Sequence, residues 1–488
     1  MKAITIYGPP GTGKTRTLVE SAAEHAKNSR DRICFLTYTR SAAQEAKSRI
    51  SNLAGTKMEI AASTIHSLAF SVLGLNRSQV VDAKKLLDFG RRIGVPFKSF
   101  ETDDEPMEGD EYMAAVSLSA NKSITTELSY VLAGSPGSVA RFRMFVKAYG
   151  EWKRTYGYID FDDMLFRFAA LNKELMPRYE CVMLDEAQDC SNLQWRAFEN
   201  FISNGVKIVT IAGDDDQSIF EWNGANPHGM DEFSQKYNAQ VFTLDKSFRV
   251  PRLALDLAKS VIDKVDKRQG KEFDDCGKTG TIVEYGDVLD VDYHEAYEKS
   301  AMVIVRDRFR SLEVQRVLNS WQIPYSIIGG VSPFENRWAK AVRLYERFIH
   351  TGMYGDSQYD HLDHDEIRQL ADLVEPRFKQ EIMEGNVTNC MAGVKWYEAF
   401  IKVPPPNMID FYCAMNWSAP LKIRLTTVHQ AKGREADNTI VDLTMSGRAL
   451  EQLDMNPDSE RRVWYVALTR TADNMYLCGS NPIVVRDV

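Results

Sequence analysis

The sequence predicts an α/β fold built on parallel β-sheets, and three stretches carry this prediction. The strand-like run AITIY at residues 3–7 leads into a glycine-rich loop and then into a helix-like segment that begins at Thr15. Two later apolar runs, 181–184 and 207–212, each end in acidic residues, as in CVMLDE and KIVTIAGDDD. Sheets of this class bind ligands at the carboxyl ends of their strands. With 488 residues, the chain has room for about three domains.

The composition is that of a soluble globular protein, with 44% apolar and 26% charged residues. No apolar run approaches the roughly 20 residues of a membrane span, and the first residues lack a signal-peptide pattern. Seven scattered cysteines without a C-x-x-C pair indicate neither a disulfide framework nor a zinc site, so a reducing, cytoplasmic setting is expected. The net charge of −8 excludes a generally basic coat, although a local groove can still bind nucleic acid.

The glycine-rich loop has the G-x-x-x-x-G-K-[ST] spacing of a phosphate-binding loop. Its residues are Gly8, Pro9, Pro10, Gly11, Thr12, Gly13, Lys14 and Thr15. The order strand, glycine loop, helix makes a chance match in a glycine-rich turn the weaker reading. Backbone N–H groups and the helix N-terminus favour an anionic phosphate chain. We expect Lys14 to reach the β- and γ-phosphates and Thr15 to hold Mg²⁺.

Acidic residues at the ends of the two later strands complete the predicted phosphate chemistry. Asp185 can orient Mg²⁺ and Glu186 can accept a proton from an attacking water, whereas an acid-rich helix start is the alternative. Gln217 can sense the γ-phosphate. Phe220 and Trp222 can stack the bases of a single strand, or else belong to the core.

Two arginines distant in sequence from the loop are candidates for stabilising charge on the transferred phosphoryl group. Arg249 lies in LDKSFRVP and Arg470 in WYVALTRT. Guanidinium groups suit this role, although any single arginine is more often a surface charge.

These motifs, in this order, resemble the UvrD/Rep/PcrA-like superfamily 1A DNA helicases over nearly the whole chain. Further matching stretches are FLTYTRSAAQEAKSRI, STIHSLAFSVL, IDFDDMLFRF, VQRVLNSWQIPYSIIGGVSPFENR, LTTVHQAKGREAD and ERRVWYVALTRT. The resemblance implies two RecA-like P-loop NTPase domains with parallel sheets, each carrying a mostly helical inserted subdomain. It also implies that ATP lies in the cleft between the two domains.

The resemblance assigns further residues to the nucleotide. It places Arg16 near the base, Phe248 on the adenine, Gly433 at the γ-phosphate and Glu435 at the ribose. It makes Asp185 a Mg²⁺ ligand through water, Glu186 the activator of the hydrolytic water and Gln217 the coupler to DNA. Arg249 and Arg470 would come from the second domain as arginine fingers.

The resemblance also assigns a DNA path and an activity. The DNA-binding residues would be Tyr38, Thr64, His66, Phe220, Trp222 and His429, although a core histidine is the alternative for both His66 and His429. The implied activity is ATP-dependent 3′-to-5′ movement on single-stranded DNA with duplex unwinding. Expected partners are single-stranded DNA, its junctions with duplex DNA, and proteins of replication or repair. We expect a monomer that does not bind a membrane. Its expected location is the cytoplasm of a cell or of a host.

We predict a first core at 1–75 and 152–245 with an insertion at 76–151. The second core is predicted at 246–345 and 420–488 with an insertion at 346–419. The acidic run 101–113 is interpreted as a solvated surface.

Three departures from the family pattern modify these expectations. Asn223 stands where an arginine is frequent, and the usual aromatic pin after the last motif is not evident. A translocase that strips proteins with little unwinding is therefore one alternative, and an ATP-gated loading module is a second. Only seven residues precede Gly8, without the family's glutamine that reads adenine, so we expect looser discrimination between ATP and GTP.

Overall fold

A computed structural model describes residues 1–28, 32–55, 60–98, 107–135, 137–296, 298–354, 362–385, 391, 393–415 and 420–484. Within these ranges, the strands are Lys2–Tyr7 (β1), Ile33–Leu36 (β2), Ile60–Ser63 (β3), Cys181–Leu184 (β4), Ile208–Gly213 (β5), Gln240–Thr243 (β6), Thr281–Tyr285 (β7), Ala301–Val305 (β8), Tyr325–Ile327 (β9), Ile423–Thr427 (β10), Ala436–Asp442 (β11) and Thr471–Cys478 (β12).

The described residues form two six-stranded sheets, and neighbouring strands pair in parallel in both. The first sheet has the order β3-β2-β4-β5-β1-β6 and the second β7-β12-β11-β8-β10-β9. The predicted α/β class with parallel sheets is therefore confirmed. The predicted strands before the loop and before Asp185 agree with β1 and β4. The strand predicted at 207–212 is displaced by one residue, since β5 spans Ile208–Gly213.

Helices connect the strands. The first eleven are Lys14–Asn28 (α1), Arg40–Ala54 (α2), Ile65–Val72 (α3), Ala83–Ile93 (α4), Glu108–Lys122 (α5), Thr126–Leu132 (α6), Val139–Tyr156 (α7), Phe161–Ala169 (α8), Asn192–Ile202 (α9), Gly229–Tyr237 (α10) and Arg252–Ile262 (α11). They are followed by Tyr293–Ala296 (α12), Arg308–Ser320 (α13), Arg337–Tyr354 (α14), His364–Leu373 (α15), Pro376–Met383 (α16), Trp396–Ala399 (α17), Pro406–Cys413 (α18), Val428–Ala431 (α19), Gly447–Met455 (α20) and Pro457–Leu468 (α21).

Helices cover both faces of the first sheet, which explains why its central strands are continuously apolar. All four residues of β4 are buried. Val182 and Leu184 belong to the hydrophobic core on one face, while Cys181 and Met183 belong to the core on the other. This alternation is the two-residue side-chain period of a strand, buried on both sides as parallel sheets require.

Two groups of helices have hydrophobic cores of their own. Helices α4–α6 lie within the first predicted insertion and α7 continues past its predicted end at 151 to Tyr156, whereas α14 begins at Arg337, ahead of the predicted start of the second insertion at 346. The core of α4, α5, α6 and α7 is largely aromatic and includes Phe89, Tyr112, Phe142 and Phe145. The core of α14–α18 includes Tyr345, Phe378, Trp396 and Tyr412. Of the acidic run 101–113, residues 101–106 lie outside the described residues, and α5 begins at Glu108.

The chain divides into two compact units, one formed by 1–279 with 451–469 and the other by 280–450 with 470–488. The sequence-derived boundary at 245/246 follows the end of β6, whereas the first unit continues to Thr279. The segment after β6 belongs there because Ser247 donates its hydroxyl to the carbonyl of Pro10, and because Arg268 pairs with Asp216. Among the described residues, no helix combines the length and the apolar character that crossing a membrane requires.

Candidate nucleotide site and nucleic-acid interface

The glycine-rich loop joins β1 to α1 in the first unit. Gly11 and Gly13 have φ angles of +74° and +85°, in the left-handed region that favours glycine. A Cβ on Gly8 would lie 2.1 Å from Cγ of Lys14, so a glycine is required for the lysine to fold back over the loop. The Lys14 ammonium donates to the carbonyl of Gly8. This arrangement holds the ammonium and the N-terminus of α1 at the same loop.

The segment that carries Arg249 packs directly on the loop. Ser247 donates from its hydroxyl to the carbonyl of Pro10 at 2.8 Å, and Phe248 donates its N–H to the carbonyl of Gly11 at 2.9 Å. A Cβ on Gly11 would lie 2.6 Å from Cβ of Arg249. Arg249 therefore belongs to the compact unit of the loop, not to the second one as the sequence analysis expects. The Phe248 side chain is 73% exposed beside the loop.

Two other predicted nucleotide residues have local partners. Thr12 is buried, and its hydroxyl donates to the carbonyl of Pro9 at 2.8 Å, which fixes the loop. Arg16 is exposed on α1 and pairs with Glu20 at 2.7 Å, one helical turn further on. Because that ion pair is solvated, it contributes little stability and leaves the guanidinium able to exchange partners.

The two predicted Mg²⁺ ligands lie in contact. Thr15 donates from Oγ1 to Oδ2 of Asp185 at 2.6 Å, although the two residues are 170 positions apart. Burial, together with the neighbouring Glu186 carboxylate, raises the pKa of Asp185 to about 7. Hydroxyl and carboxylate oxygens are the ligands that Mg²⁺ prefers, and a cation here would favour the ionised form of the buried carboxylate. The donor set therefore fits Mg²⁺.

A chain of hydrogen bonds connects the ends of β4 and β5. Gln188 donates from Nε2 to Oε2 of Glu186 at 2.5 Å and accepts the N–H of Asp214 on Oε1 at 3.0 Å. Gln217 donates from Nε2 to Oδ2 of Asp214 at 2.7 Å. Both glutamines are buried. The two predicted residues Glu186 and Gln217 are thus linked through Gln188, which the sequence analysis missed although it stands in the quoted stretch DEAQD.

Glu186 itself has a strained backbone. Its φ of +55° is unusual for a residue other than glycine. Strain of this kind costs on the order of 1–3 kcal/mol and persists only where the surroundings enforce it. It directs attention to Glu186 as a functional residue.

Three consecutive aspartates after β5 surround a buried lysine. Asp214, Asp215 and Asp216 are each at most 5% exposed. The Lys271 ammonium lies 2.8 Å from carboxylate oxygens of Asp214 and Asp216 and also contacts Asp215. Arg268 makes a bidentate pair with Asp216 at 2.7 and 2.9 Å. The aspartates have the spacing of a cation site, but the Lys271 ammonium already contacts all three of them.

The charge balance of this cluster follows from its burial. Burial acts to lower the pKa of Lys271, but the attraction of the three carboxylates outweighs it and the pKa is raised. Lys271 is therefore charged at all ordinary pH values. Sequence reasoning missed it because 54 residues separate it from Gln217 and no local pattern distinguishes it.

Of the predicted DNA-binding residues of the first unit, all except Trp222 line one cavity of about 390 Å³. We call it the aromatic pocket; its walls include Tyr38, Thr64, His66, Phe161 and Phe220. The rings of Tyr38 and Phe220 are stacked, with centroids 5.8 Å apart and planes at 9°. Phe161 approaches His66 edge-on at 5.7 Å and was not predicted.

Trp222 lies beside the aromatic pocket, and Thr64 forms part of its wall. Trp222 is 63% exposed, with its ring centroid 6.5 Å from that of Phe220. Thr64 uses its hydroxyl to cap α3, accepting the N–H of Ser67 at 3.1 Å. Exposed and stacked aromatic faces of this kind can hold unpaired bases.

Two titratable groups of the pocket are neutral at pH 7. Burial, assisted by Asp189, raises the pKa of Tyr38 to about 12. Burial lowers the pKa of His66 to about 4. The pocket therefore presents a phenol and an imidazole rather than a phenolate and an imidazolium.

A second, smaller cavity of about 50 Å³ is lined by residues of both sites. Asp185 and Glu186 come from the nucleotide site, and Tyr38, Thr64 and His66 also line the aromatic pocket. The two sites are therefore neighbours in the first unit.

The remaining predicted residues lie in the second unit. Glu435 and Arg470 stand at the amino ends of β11 and β12, where Ala436 donates its N–H to the carbonyl of Arg470 at 3.2 Å. Arg470 is 1% exposed and Glu435 is exposed. Gly433 has a φ of +76°. His429 is half-buried on α19, beyond the carboxyl end of β10.

Comparison with known proteins relates the chain to one group of enzymes. Residues 1–238 match the family model described as the UvrD/REP helicase N-terminal domain. An ATP-dependent DNA helicase PcrA of Leuconostoc citreum is 26% identical over 380 residues, which are 71% of this chain and 50% of that protein. DNA helicase II of Salmonella typhimurium is 26% identical over 379 residues, 70% of this chain and 51% of that protein.

DNA helicase II of Escherichia coli is 25% identical over 386 residues, 71% of this chain and 52% of that protein. The chain spans about half the length of the curated relatives it matches. The matched residues 1–238 include the loop, the linked acidic residues and the aromatic pocket, whereas the first unit continues to Thr279. In its motifs, its two parallel sheets and these matches, the chain is similar to the UvrD/PcrA/Rep DNA helicases, and residues 1–238 match the N-terminal domain of that family.

Proposed function

We propose that this chain is an ATP-driven motor that moves 3′-to-5′ on single-stranded DNA and separates duplex ahead of it. The observation that carries the proposal is that two short segments each reach both sites of the first unit. Residues 185–191 begin with Asp185 at the nucleotide site and end with Ser191 in the wall of the aromatic pocket. Residues 214–220 run from the hydrogen-bonded Asp214 to the pocket residue Phe220.

The nucleotide site has the groups that hydrolysis of a triphosphate needs. In the proposal, Lys14 and the loop N–H groups bind the β- and γ-phosphates, while Thr15 and Asp185 hold Mg²⁺. The ion supplies charge neutralisation for the triphosphate when bound. Glu186 orients and deprotonates the attacking water, and Arg249 stabilises the charge that develops on the phosphoryl group.

The aromatic pocket is proposed to hold the single strand. Tyr38, Phe220 and Trp222 present ring faces to bases, at about 1–3 kcal/mol for each stacked base. His66 remains neutral and Thr64 is engaged in its cap, so their part in binding is hydrogen bonding or shape rather than charge. For Gly433, Glu435, His429 and Arg470 of the second unit, the roles given by the resemblance stay predictions.

Coupling follows from the shared segments. When the γ-phosphate leaves, Glu186 and Gln217 lose the group they contact. Gln188 links Glu186 to Asp214, and Gln217 donates to Asp214 directly. A small movement of either segment is carried within a few residues to Asp189 or Phe220 in the pocket wall. Repeated changes of grip on the strand then produce steps, as in other switches driven by a γ-phosphate.

Strand displacement on tailed duplexes tests the proposal. Duplexes of the same sequence with a single-stranded tail at either the 3′ or the 5′ end are incubated with ATP, and reactions without ATP are the control. We expect displacement of the 3′-tailed duplex alone. Displacement that favours the 5′ tail contradicts the direction. ATP hydrolysis stimulated by single strands without displacement favours the protein-stripping translocase instead.

A further inference from the structure

A second groove lies at the base of the first helical insertion, outside the residues discussed so far. It has a volume of about 680 Å³ and is open to solvent along the C-terminal half of α7 and one side of α8. We call it the basic groove; the residues that define it here are Lys147, Lys153, Arg154, Tyr158, Asp163 and Arg167.

One cation of the groove is neutralised within the protein. The Lys153 ammonium lies 2.5 Å from Oδ2 of Asp160 and 2.6 Å from Oδ2 of Asp163. Both contacts are largely shielded from water, since the side chains of Lys153 and Asp160 are only 14% and 12% exposed. This lysine holds the end of α7 to the start of α8 and so shapes the groove.

The other three cations are uncompensated. Lys147, Arg154 and Arg167 are exposed, and in the described part of the chain their side chains make no ion pair and no hydrogen bond. Their concentration in one groove is unexpected in a chain with a net charge of −8. Unpaired cations in a concave surface create a local positive potential that attracts polyanions.

Aromatic rings stand among these cations. Tyr158 lines the groove and stacks on Tyr156, with ring centroids 5.6 Å apart and planes at 16°. The Lys85 ammonium lies 5.4 Å from the centroid of Tyr158, and the Arg92 guanidinium lies 5.1 Å from that of Tyr156. Cationic side chains alternating with ring faces are the chemistry by which proteins hold single-stranded nucleic acid.

The basic groove and the aromatic pocket are lined by residues of the same helix, α8. Phe161 and Asp162 of α8 line the pocket, whereas Asp163 and Arg167 of the same helix line the groove. The two sites are therefore separated by about one helix diameter, roughly 10 Å. A strand that leaves the pocket reaches the groove within a few nucleotides.

We infer that the basic groove binds the phosphodiester backbone of the single strand where it continues beyond the aromatic pocket. Lys147, Arg154 and Arg167 contact successive phosphates, and Tyr158 with Tyr156 offers a stacking surface for an unpaired base. A single strand is assigned rather than a duplex because paired bases present no free face to these rings. The inference rests on the proposed function, since it extends the path of the same strand.

The test compares two oligothymidylates by fluorescence anisotropy over a series of salt concentrations. One has about 6 nucleotides, enough for the pocket alone, and the other about 20, enough to cover both sites. The variant is Lys147→Gln/Arg154→Gln/Arg167→Gln. Its matched control, Lys47→Gln/Lys264→Gln/Lys402→Gln, removes the same charge from exposed lysines elsewhere.

For the longer strand, each lost phosphate contact lowers the slope of log affinity against log salt by about 0.7, so three contacts lower it by about 2. The same relation predicts that the variant binds the longer strand about 100-fold more weakly than the wild type at about 0.1 M salt. This difference in affinity should disappear as the salt concentration approaches about 1 M. The shorter strand binds the variant and the wild type equally, which also shows that the variant is folded.

Three results overturn the inference while leaving the proposed function intact. The first is that the variant binds the longer strand as the control does. The second is that, with a blunt duplex as a third probe, the variant loses affinity for the duplex alone, which would assign the groove to duplex. The third is an equal loss for both oligonucleotides, which contradicts the groove as a separate contact. If the wild type binds neither oligonucleotide, the proposed function fails and the inference with it.

Discussion

Replacement of Lys271 by methionine removes the positive charge that contacts all three aspartates after β5. Methionine keeps most of the length and apolar volume of the lysine, so the change isolates the ammonium. The ammonium lies 2.8 Å from Asp214 and Asp216 and is fully buried. At an effective dielectric constant of about 20, each such contact has a Coulomb attraction of about 6 kcal/mol.

Desolvation offsets most of that attraction, so the net effect is smaller. Removing one partner from a buried ionic group typically costs about 3–5 kcal/mol, because the remaining charges are left uncompensated. Arg268 still pairs with Asp216, which places the expectation near the lower end of that range. We therefore expect Lys271→Met to lower the stability of the first unit by about 3 kcal/mol.

Hydrogen exchange of β5 and the segment that follows it measures this change. The free energy of opening is compared between the wild type, Lys271→Met and Lys264→Met, an exposed lysine of the same segment. Exchange should accelerate in Lys271→Met alone. A loss below about 1 kcal/mol would refute the reasoning, since it would mean that the three carboxylates are neutralised by protonation or by Arg268.

Three further changes test individual side chains. Glu186→Gln should bind ATP with unchanged affinity, but its rate of ATP hydrolysis should be at least about 100-fold lower, because an amide cannot accept the proton. Turnover at the wild-type rate in a stopped assay would exclude Glu186 as the base. Trp222→Ala should weaken binding of an oligothymidylate by about 1–3 kcal/mol, and an unchanged anisotropy titration would remove Trp222 from the DNA path. Burial lowers the pKa of His66 from 6.5 to about 4. Between these pH values the imidazole binds a proton in the unfolded state but not in the folded state. The free energy of unfolding should therefore fall as the pH drops from about 6.5 to 4. Urea titrations at pH 7 and pH 5 measure this fall in the free energy of unfolding, which should be smaller in His66→Asn than in the wild type. An identical pH dependence in both proteins would contradict a neutral His66.

The strands and the loop between β1 and α1 were predictable because their signals are local. An apolar run that ends in Asp185 defines a buried strand and its ligand end within six residues. The spacing from Gly8 to Thr15 defines the loop in the same way. In each case the backbone conformation and the side chain that uses it are neighbours in sequence.

Partners joined by tertiary contacts could not be predicted in this way. Lys271 reaches Asp214 across 57 positions, and Arg268 reaches Asp216 across 52. No periodicity marks such a lysine, because its environment is created by the aspartates it neutralises. The placement of Arg249 depended on the same kind of information, since hydrogen bonds from Ser247 and Phe248 to the loop attach its segment to the first unit.

The rate of ATP hydrolysis with and without a single-stranded oligonucleotide tests the central claim most directly, because that claim is the coupling of the nucleotide site to the aromatic pocket. The account predicts a low basal rate that rises with oligonucleotide concentration and saturates at the concentration that saturates binding. In Trp222→Ala the same maximum should require more oligonucleotide. A rate that is independent of DNA, in a protein that binds both ATP and DNA, would contradict the account.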